Sequence, residues 1–190
     1  ILGSIGLVIV LGTIIGLVLE KTGAALVMAE TVVRFIGPKF PTLAMSIVGA
    51  MVSIPVFCDS GFVILHSLKE SLAARMKVSS GAMSVALATG LYATHTFVPP
   101  TPGPISAAGN LDLSDQLGLV IGVGLLVAVV PIVAGWLWAN RFLHEQPDGL
   151  VSNPADDARA QAIRDGYGEP LPPALAFMPI VVPIVLICLG

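Results

Sequence analysis

Long apolar stretches separated by short polar ones make up most of this chain. Residues 1–19 form an uninterrupted apolar run, close to the about 20 residues that a membrane-spanning helix needs. Residues 24–36 mix apolar positions with charged ones, which predicts a short amphipathic helix. Residues 116–139 form a second full-length run that ends in Trp136 and Trp138, a position typical of tryptophans at a membrane interface. The pattern therefore predicts two spanning helices and one amphipathic helix.

Two further apolar stretches contain helix breakers. Residues 43–77 are interrupted at residues 58–61, and residues 82–111 are interrupted by four prolines between positions 99 and 104. Broken backbone at bilayer depth survives only where it is buried in protein or lines a polar cavity. A pair of interrupted segments points to the substrate site of a secondary transporter. We therefore expect a hairpin or crossing at 43–77 and a broken helix at 82–111.

The basic residues decide how residues 43–77 enter the membrane. A single crossing would divide the nine lysines and arginines between the two sides of the membrane. A re-entrant hairpin with its tip at Asp59 places all nine on one side, as the positive-inside rule requires. The pattern therefore favours the hairpin. The ranges predicted to be cytoplasmic are 21–42, 69–81 and 140–173, and the range predicted to be outside is 112–115.

Composition agrees with a membrane location. The 190 residues are 55% hydrophobic and 11% charged, whereas soluble domains carry about 25% charged residues. We therefore predict an all-α integral membrane protein with several crossings. The net charge of −3 carries no information about nucleic-acid binding, but no cluster of lysines and arginines resembles a phosphate-binding patch. The chain begins at Ile1 and stops at Gly190 inside an apolar run, which indicates a piece of a longer protein.

A carboxylate lies in the first interruption. Asp59, Ser60 and Gly61 offer a carboxylate, a hydroxyl and a flexible backbone position at the predicted hairpin tip. An ionisable residue at this depth is costly and by default indicates function. A carboxylate that must be protonated before an anion binds would couple proton movement to substrate movement. The alternative is that Asp59 only caps the second half-helix.

The second interruption combines prolines with a histidine. Its prolines remove backbone donors and leave carbonyl groups free. His95 lies about one helical turn before the break and titrates near physiological pH; the alternative is a core histidine. Thr94 either binds substrate or bonds to its own helix. The predicted substrate-binding residues are Asp59, Ser60, Gly61, Thr94, His95, Pro100, Thr101 and Gly103, and the predicted proton-coupling residues are Asp59 and His95.

Both interrupted segments resemble those of the gluconate permease family, a group of bacterial sugar-acid:proton symporters in the ion transporter superfamily. Phe57, Asp59 and Gly61-Phe62 match an aromatic residue, an acidic residue and Gly-Phe. Thr94-His95 followed by residues 99–104 matches Thr-His, a short apolar stretch and Pro-Pro-x-Pro-Gly-Pro. The resemblance covers most of the chain.

The resemblance implies an architecture. Residues 1–139 would be the first of two inverted transmembrane repeats, residues 140–173 a polar cytoplasmic loop, and residues 174–190 the start of the second repeat. The fold class it implies is a polytopic transporter with a re-entrant hairpin and broken helices in the bacterial inner (plasma) membrane.

The resemblance also implies proton-coupled uptake of gluconate or a related small sugar acid or hydroxy acid. The expected partners are that anionic substrate and membrane lipid, without a metal or a cofactor other than the proton; a homodimer stays open. Gluconate-type members often have His where this chain has Thr101, so another small organic anion or D-serine stays open as substrate.

Two other classes of protein are disfavoured. A channel is disfavoured because the spanning runs lack a polar face. A membrane enzyme is disfavoured because Asp59 and His95 alone are too few residues for a catalytic site.

Overall fold

A computed structural model describes residue 10 and residues 14–19, 21–36, 40–142 and 171–189 of the chain. Every regular element within these ranges is a helix, which confirms the predicted all-helical class. Residues 14–19 are helical. The rest of the spanning helix predicted at 1–19, except residue 10, and residues 143–170 of the predicted loop lie outside the described residues.

We label the helices in chain order. They are α1 (Ala24–Ile36), α2 (Pro41–Val52), α3 (Cys58–Ile64), α4 (His66–Met76), α5 (Ser80–Phe97), α6 (Pro102–Asn110), α7 (Leu117–Phe142) and α8 (Pro173–Leu189). A short 3₁₀ helix, Ser114–Gln116, precedes α7. Helix α1 occupies the range over which the sequence pattern predicts an amphipathic helix, and one set of its side chains is buried against the other helices.

Helices α2 and α5 form the centre of the packing. They approach closely because small residues face the partner backbone: a Cβ atom added at Gly90 would overlap the carbonyl oxygen of Ser46, and Gly49 faces α5 in the same way. The Thr94 hydroxyl on α5 donates to the Ala50 carbonyl on α2 at 2.8 Å. Contacts advance in the same direction along both helices, so α2 and α5 run parallel.

Helix α7 packs antiparallel to α5. Gly124 lies against the carbonyl of Phe97 at the end of α5, and Gly135 lies against Thr89 further back along that helix. The 26 residues of α7 rise about 39 Å, more than the about 30 Å of a bilayer core. Among the described helices, α7 with the turn before it is the one long and apolar enough to span a membrane. Its outer side carries exposed apolar side chains such as Leu126, which is 74% exposed.

The first interruption lies earlier in the chain than the sequence pattern predicts. The pattern places it at residues 58–61, whereas the structure leaves residues 53–57 outside any helix and begins α3 at Cys58. Pro55 explains the difference, because a proline cannot donate a helical hydrogen bond and clashes with the preceding turn. Asp59 therefore lies in the first turn of α3 rather than in the break itself.

The second interruption is shorter than predicted. Only residues 98–101 separate α5 from α6, and they include the cis peptide bond between Pro99 and Pro100. Pro102 and Pro104 belong to the first turn of α6. Proline is tolerated there, because the first N–H groups of a helix have no intrahelical partner. The interruption predicted between residues 99 and 104 was therefore too long.

The start of α2, the turn between α4 and α5, and the end of α7 meet at one end of the bundle, which we call the cavity end. They surround a cavity of about 430 Å³ whose lining includes Lys77. The Thr42 hydroxyl lies 2.8 Å from the side-chain oxygen of Asn140 and donates to it. The rings of Phe40 and Trp136 pack edge to face with centroids 6.4 Å apart. The chain thus leaves this end along α2, returns through α4 and leaves it again along α5.

Candidate functional site

Asp59 and Ser60 lie on the exposed side of the first turn of α3. The N-cap residue of α3 is Phe57, and no side chain makes a capping hydrogen bond there. This geometry contradicts the alternative in which Asp59 caps the helix. Its Oδ1 atom instead accepts a hydrogen bond of 2.9 Å from the hydroxyl of Tyr92 on α5. The buried thiol of Cys58 makes a longer contact of 3.9 Å with the same oxygen.

Helix α5 presents Tyr92 and His95 on one face, since residues three apart lie above one another on a helix. The ring of His95 packs against that of Phe57, with centroids 5.7 Å apart and planes tilted by 59°. The segment around the first interruption therefore contacts the helix that leads into the second one through two side-chain pairs. Asp59 and His95, predicted separately from two motifs, lie in one neighbourhood.

His95 does not fit the alternative of a core histidine with satisfied hydrogen bonds. Its side chain is half-buried, and its Nδ1 atom is buried without a hydrogen-bond partner in the described part of the chain. A buried nitrogen left unpaired costs about 1–3 kcal/mol. The ring is held by packing against Phe57, which lies two residues before Asp59 in the chain. Its nitrogens thus keep their capacity to accept or donate a proton.

The two candidate threonines use their hydroxyl protons within the protein. Thr94 is 3% exposed and donates to the carbonyl of Ala50. Thr101 is 7% exposed and donates to the carbonyl of Val98 at 2.7 Å. A hydroxyl has a single proton to donate, so in this arrangement neither residue offers it to a ligand. The substrate-binding role of both stays a prediction.

The remaining candidates differ in their surroundings. Gly61 is buried, and a Cβ atom there would lie 2.8 Å from the Leu91 side chain, so the absence of a side chain lets α3 pack on α5. Pro100 is half-buried in the second break. Gly103 is exposed in the first turn of α6, with open space where a Cβ atom would stand. Among these three, Gly61 has the clearest structural role.

A second polar cluster joins α4 to α5 nearer the cavity end. Lys69 is only 3% exposed; its ammonium group donates to the Ser84 hydroxyl at 2.7 Å and pairs with the Glu70 carboxylate at 2.6 Å. The Ser80 hydroxyl donates to the same carboxylate at 2.7 Å. Burial opposes the charge of Glu70, but the hydrogen bonds from Lys69 and Ser80 outweigh it and lower the pKa of its carboxyl. The surroundings of Glu70 therefore favour its ionised form.

Sequence reasoning missed Tyr92 and this cluster. Tyr92 carries a weak signal, since it is a polar aromatic residue three positions before His95 in an apolar run. Ser80 and Ser84 lie on one helix face because they are four positions apart. The sequence around them, however, does not indicate a contact with Lys69. Within the described residues, no group of three or more His, Cys, Asp or Glu side chains is arranged to hold a metal ion.

The arrangement around Asp59 suits the handling of a proton and an anion together. An ionised Asp59 is acceptor-only and takes the Tyr92 proton, whereas a protonated Asp59 is itself a donor. His95 adds a second group able to gain or lose a proton. Ionised Asp59 repels a negatively charged ligand, whereas protonated Asp59 does not.

Comparison with known proteins adds an independent finding. The family model described as GntP family permease matches residues 1–190. The chain is 40% identical to an uncharacterized permease of Haemophilus influenzae, over 98% of this chain and 39% of that protein. It is 32% identical to a gluconate permease of Pseudomonas aeruginosa, over 85% of this chain and 36% of that protein. It is 29% identical to the inner membrane permease YgbN of Escherichia coli, over 100% of this chain and 43% of that protein. The chain spans less than half the length of each relative, and no solved structure matches it.

Proposed function

The chain belongs to the GntP family of permeases, and we propose that it forms part of a secondary transporter for gluconate or a related small sugar acid, driven by protons. The observation that carries this proposal is the contact between the two interrupted segments. That contact places Asp59 beside Tyr92 and brings His95 into the same neighbourhood. Ionisable groups in apolar segments of a membrane protein mark substrate or proton pathways.

Coupling follows from the charge of Asp59. While Asp59 is ionised it repels an anionic substrate, and once it is protonated the repulsion is gone. Proton and anion therefore enter the site together, and no metal or organic cofactor is needed for this step. His95, which packs against Phe57 two residues before Asp59, is the second candidate to hold the proton.

We place the cavity end on the cytoplasmic side of the bacterial inner membrane. Lys77 lines the cavity and Arg141 follows Asn140 at its edge. The opposite end, where α6 turns into α7, carries Asp112 and Asp115, and the sequence has no Lys or Arg between positions 78 and 140. This charge distribution favours the basic end inside. The path along α2 and back through α4 supports a re-entrant hairpin, and the exposed apolar side of α7 supports contact with lipid.

Single-cysteine labelling tests this orientation. In a background lacking Cys58 and Cys188, Lys77→Cys is expected to react with a membrane-impermeant maleimide only from the cytoplasmic side. Asp115→Cys is expected to react only from outside. Both native side chains are exposed, so the label can reach them. Reaction of Lys77→Cys from outside alone would contradict the hairpin.

Uptake by the full-length protein tests the function. In vesicles, labelled gluconate is expected to accumulate when an inward proton gradient is imposed and to stop at equilibration when a protonophore collapses that gradient. A sodium gradient of the same size serves as the control. Unlabelled sugar acids and D-serine, added as competitors, rank the substrates. Accumulation that does not depend on the proton gradient would contradict proton coupling. If no sugar acid enters the vesicles, the proposed substrate class is wrong.

A further inference from the structure

Tyr92 stands out among the residues around Asp59. Its side chain is 52% exposed, yet its hydroxyl is directed to the Asp59 carboxylate at 2.9 Å. The two residues are 33 positions apart in the sequence. A tyrosine that served only to pack α3 on α5 would not need this exposure, since Leu91, fully buried next to it, already fills the contact with Gly61. The exposed hydroxyl is therefore available to a ligand as well.

The chemistry of the hydroxyl limits what it can do. Tyr92 has one proton to donate, and an ionised carboxylate can only accept. Ionised Asp59 and the carboxylate of a sugar acid are thus competitors for the same proton. A protonated Asp59 needs no donor and can itself donate to the Tyr92 oxygen. Protonation of Asp59 therefore frees the phenolic proton for another acceptor.

We infer that Tyr92 is a substrate-binding residue that exchanges hydrogen-bond partners: it donates to Asp59 while Asp59 is ionised and to the substrate carboxylate once Asp59 is protonated. The inference rests on the proposed function and deepens it. It explains how one protonation event both removes the repulsive charge and supplies a donor to the anion. No covalent step is involved, and the proton stays on Asp59 while substrate is bound.

The other groups near Asp59 do not offer the same exchange. The Cys58 thiol is a weak donor, buried, and 3.9 Å from the carboxylate. His95 lies on the same face of α5, but its contact in the structure is with Phe57. Helix α2, which also packs against α3, has no titratable side chain. Among the described side chains, Tyr92 combines a direct bond to Asp59 with an exposed donor.

The test compares Tyr92→Phe with the unaltered full-length protein. The substitution keeps the ring and removes only the hydroxyl. Exchange of labelled gluconate is measured with the same pH on both sides of the membrane, at a pH low enough that exchange no longer rises with proton concentration. Unlabelled gluconate and uncharged gluconamide are added as competitors. Thr31→Val is the matched control, because the Thr31 hydroxyl on α1 donates only to the Val27 carbonyl of its own helix.

Loss of a hydrogen bond to a charged group is expected to weaken gluconate binding about tenfold or more. Gluconamide, which lacks the carboxylate, should be affected much less, so the preference for the acid over the amide should fall by a similar factor. Thr31→Val should leave that preference unchanged. If Tyr92→Phe gives little folded protein, Tyr92→Leu takes its place in the test. This variant also lacks the hydroxyl and should show the same loss of preference for the acid.

An unchanged preference in a folded hydroxyl-free variant overturns the inference while leaving the proposed function intact. An equal loss for acid and amide also overturns it, because that pattern indicates a general disturbance of the site. If the unaltered protein exchanges no sugar acid at all, both the inference and the proposed function are overturned. The results that reject each idea are therefore different.

Discussion

Replacing Asp59 with Asn is expected to abolish gradient-driven accumulation while substrate exchange across the membrane continues. The amide has the shape of the carboxyl group and, like a protonated carboxyl, can donate to the Tyr92 oxygen that lies 2.9 Å from Asp59, so the Tyr92 proton stays available to the substrate. The start of α3 should be preserved, since Asp59 is not its cap. An amide does not titrate near neutral pH, so no proton can be carried at this position.

The measurement is a pair of assays on the same proteoliposomes. Accumulation under an imposed proton gradient should end when internal and external substrate concentrations are equal, whereas counterflow of labelled substrate should persist. Asp115→Asn is the control. Asp115 is exposed in the turn between α6 and α7, so this variant should accumulate substrate normally. Normal accumulation by the Asp59→Asn variant would show that the proton is carried elsewhere, and His95 would be the next residue to replace.

The helices were predictable because their signals are local. An apolar face repeating along residues 24–36 is sufficient to predict α1, and an uninterrupted apolar run predicts most of α7. Neither prediction needs knowledge of a distant residue. The beginning of α3 was harder, because the polar residues Asp59 and Ser60 look like a break. The backbone is in fact interrupted around Pro55, within an otherwise apolar stretch.

The proline cluster shows a second limit of local reasoning. Four prolines in six positions predict that the helix is interrupted along all six, yet two of these prolines begin α6. A proline ends a helix that precedes it and starts one that follows it. Which effect applies depends on whether the chain beyond can form a helix, here residues 105–110.

The candidate site was predictable only in part. Asp59 and His95 could be named as candidates from the sequence because an ionisable group in an apolar segment is costly. Tyr92 could not be named in this way, because it became a candidate only through its contact with Asp59, 33 positions away. The Lys69 cluster was hidden for the same reason: its bond to Ser84 joins residues 15 positions apart. Side-chain pairs of this kind depend on tertiary packing, which periodicity does not reveal.

The Lys69–Glu70 pair leads to the largest expected effect on stability. Lys69 is 3% exposed and Glu70 is 29% exposed, so the two single substitutions are not equivalent. Glu70→Gln leaves a buried ammonium group without a counter-charge, which costs roughly 3–5 kcal/mol. Lys69→Met leaves a carboxylate that water and Ser80 still reach, so its cost should be smaller, about 1–3 kcal/mol. The double variant should be less destabilised than the sum of the two.

Thermal unfolding of the purified full-length protein checks this order, with Lys77→Gln at an exposed lysine as the control that should change little. The pH dependence gives a second check. The pKa of Glu70 is lowered in the folded protein, so its stabilising effect is present at neutral pH and is lost as the pH falls through that lowered pKa. The gap in melting temperature between the unaltered protein and Glu70→Gln should therefore narrow in acid. A larger loss of stability for Lys69→Met than for Glu70→Gln, or a gap that widens in acid, would show that the pair does not hold α4 to α5 in this way.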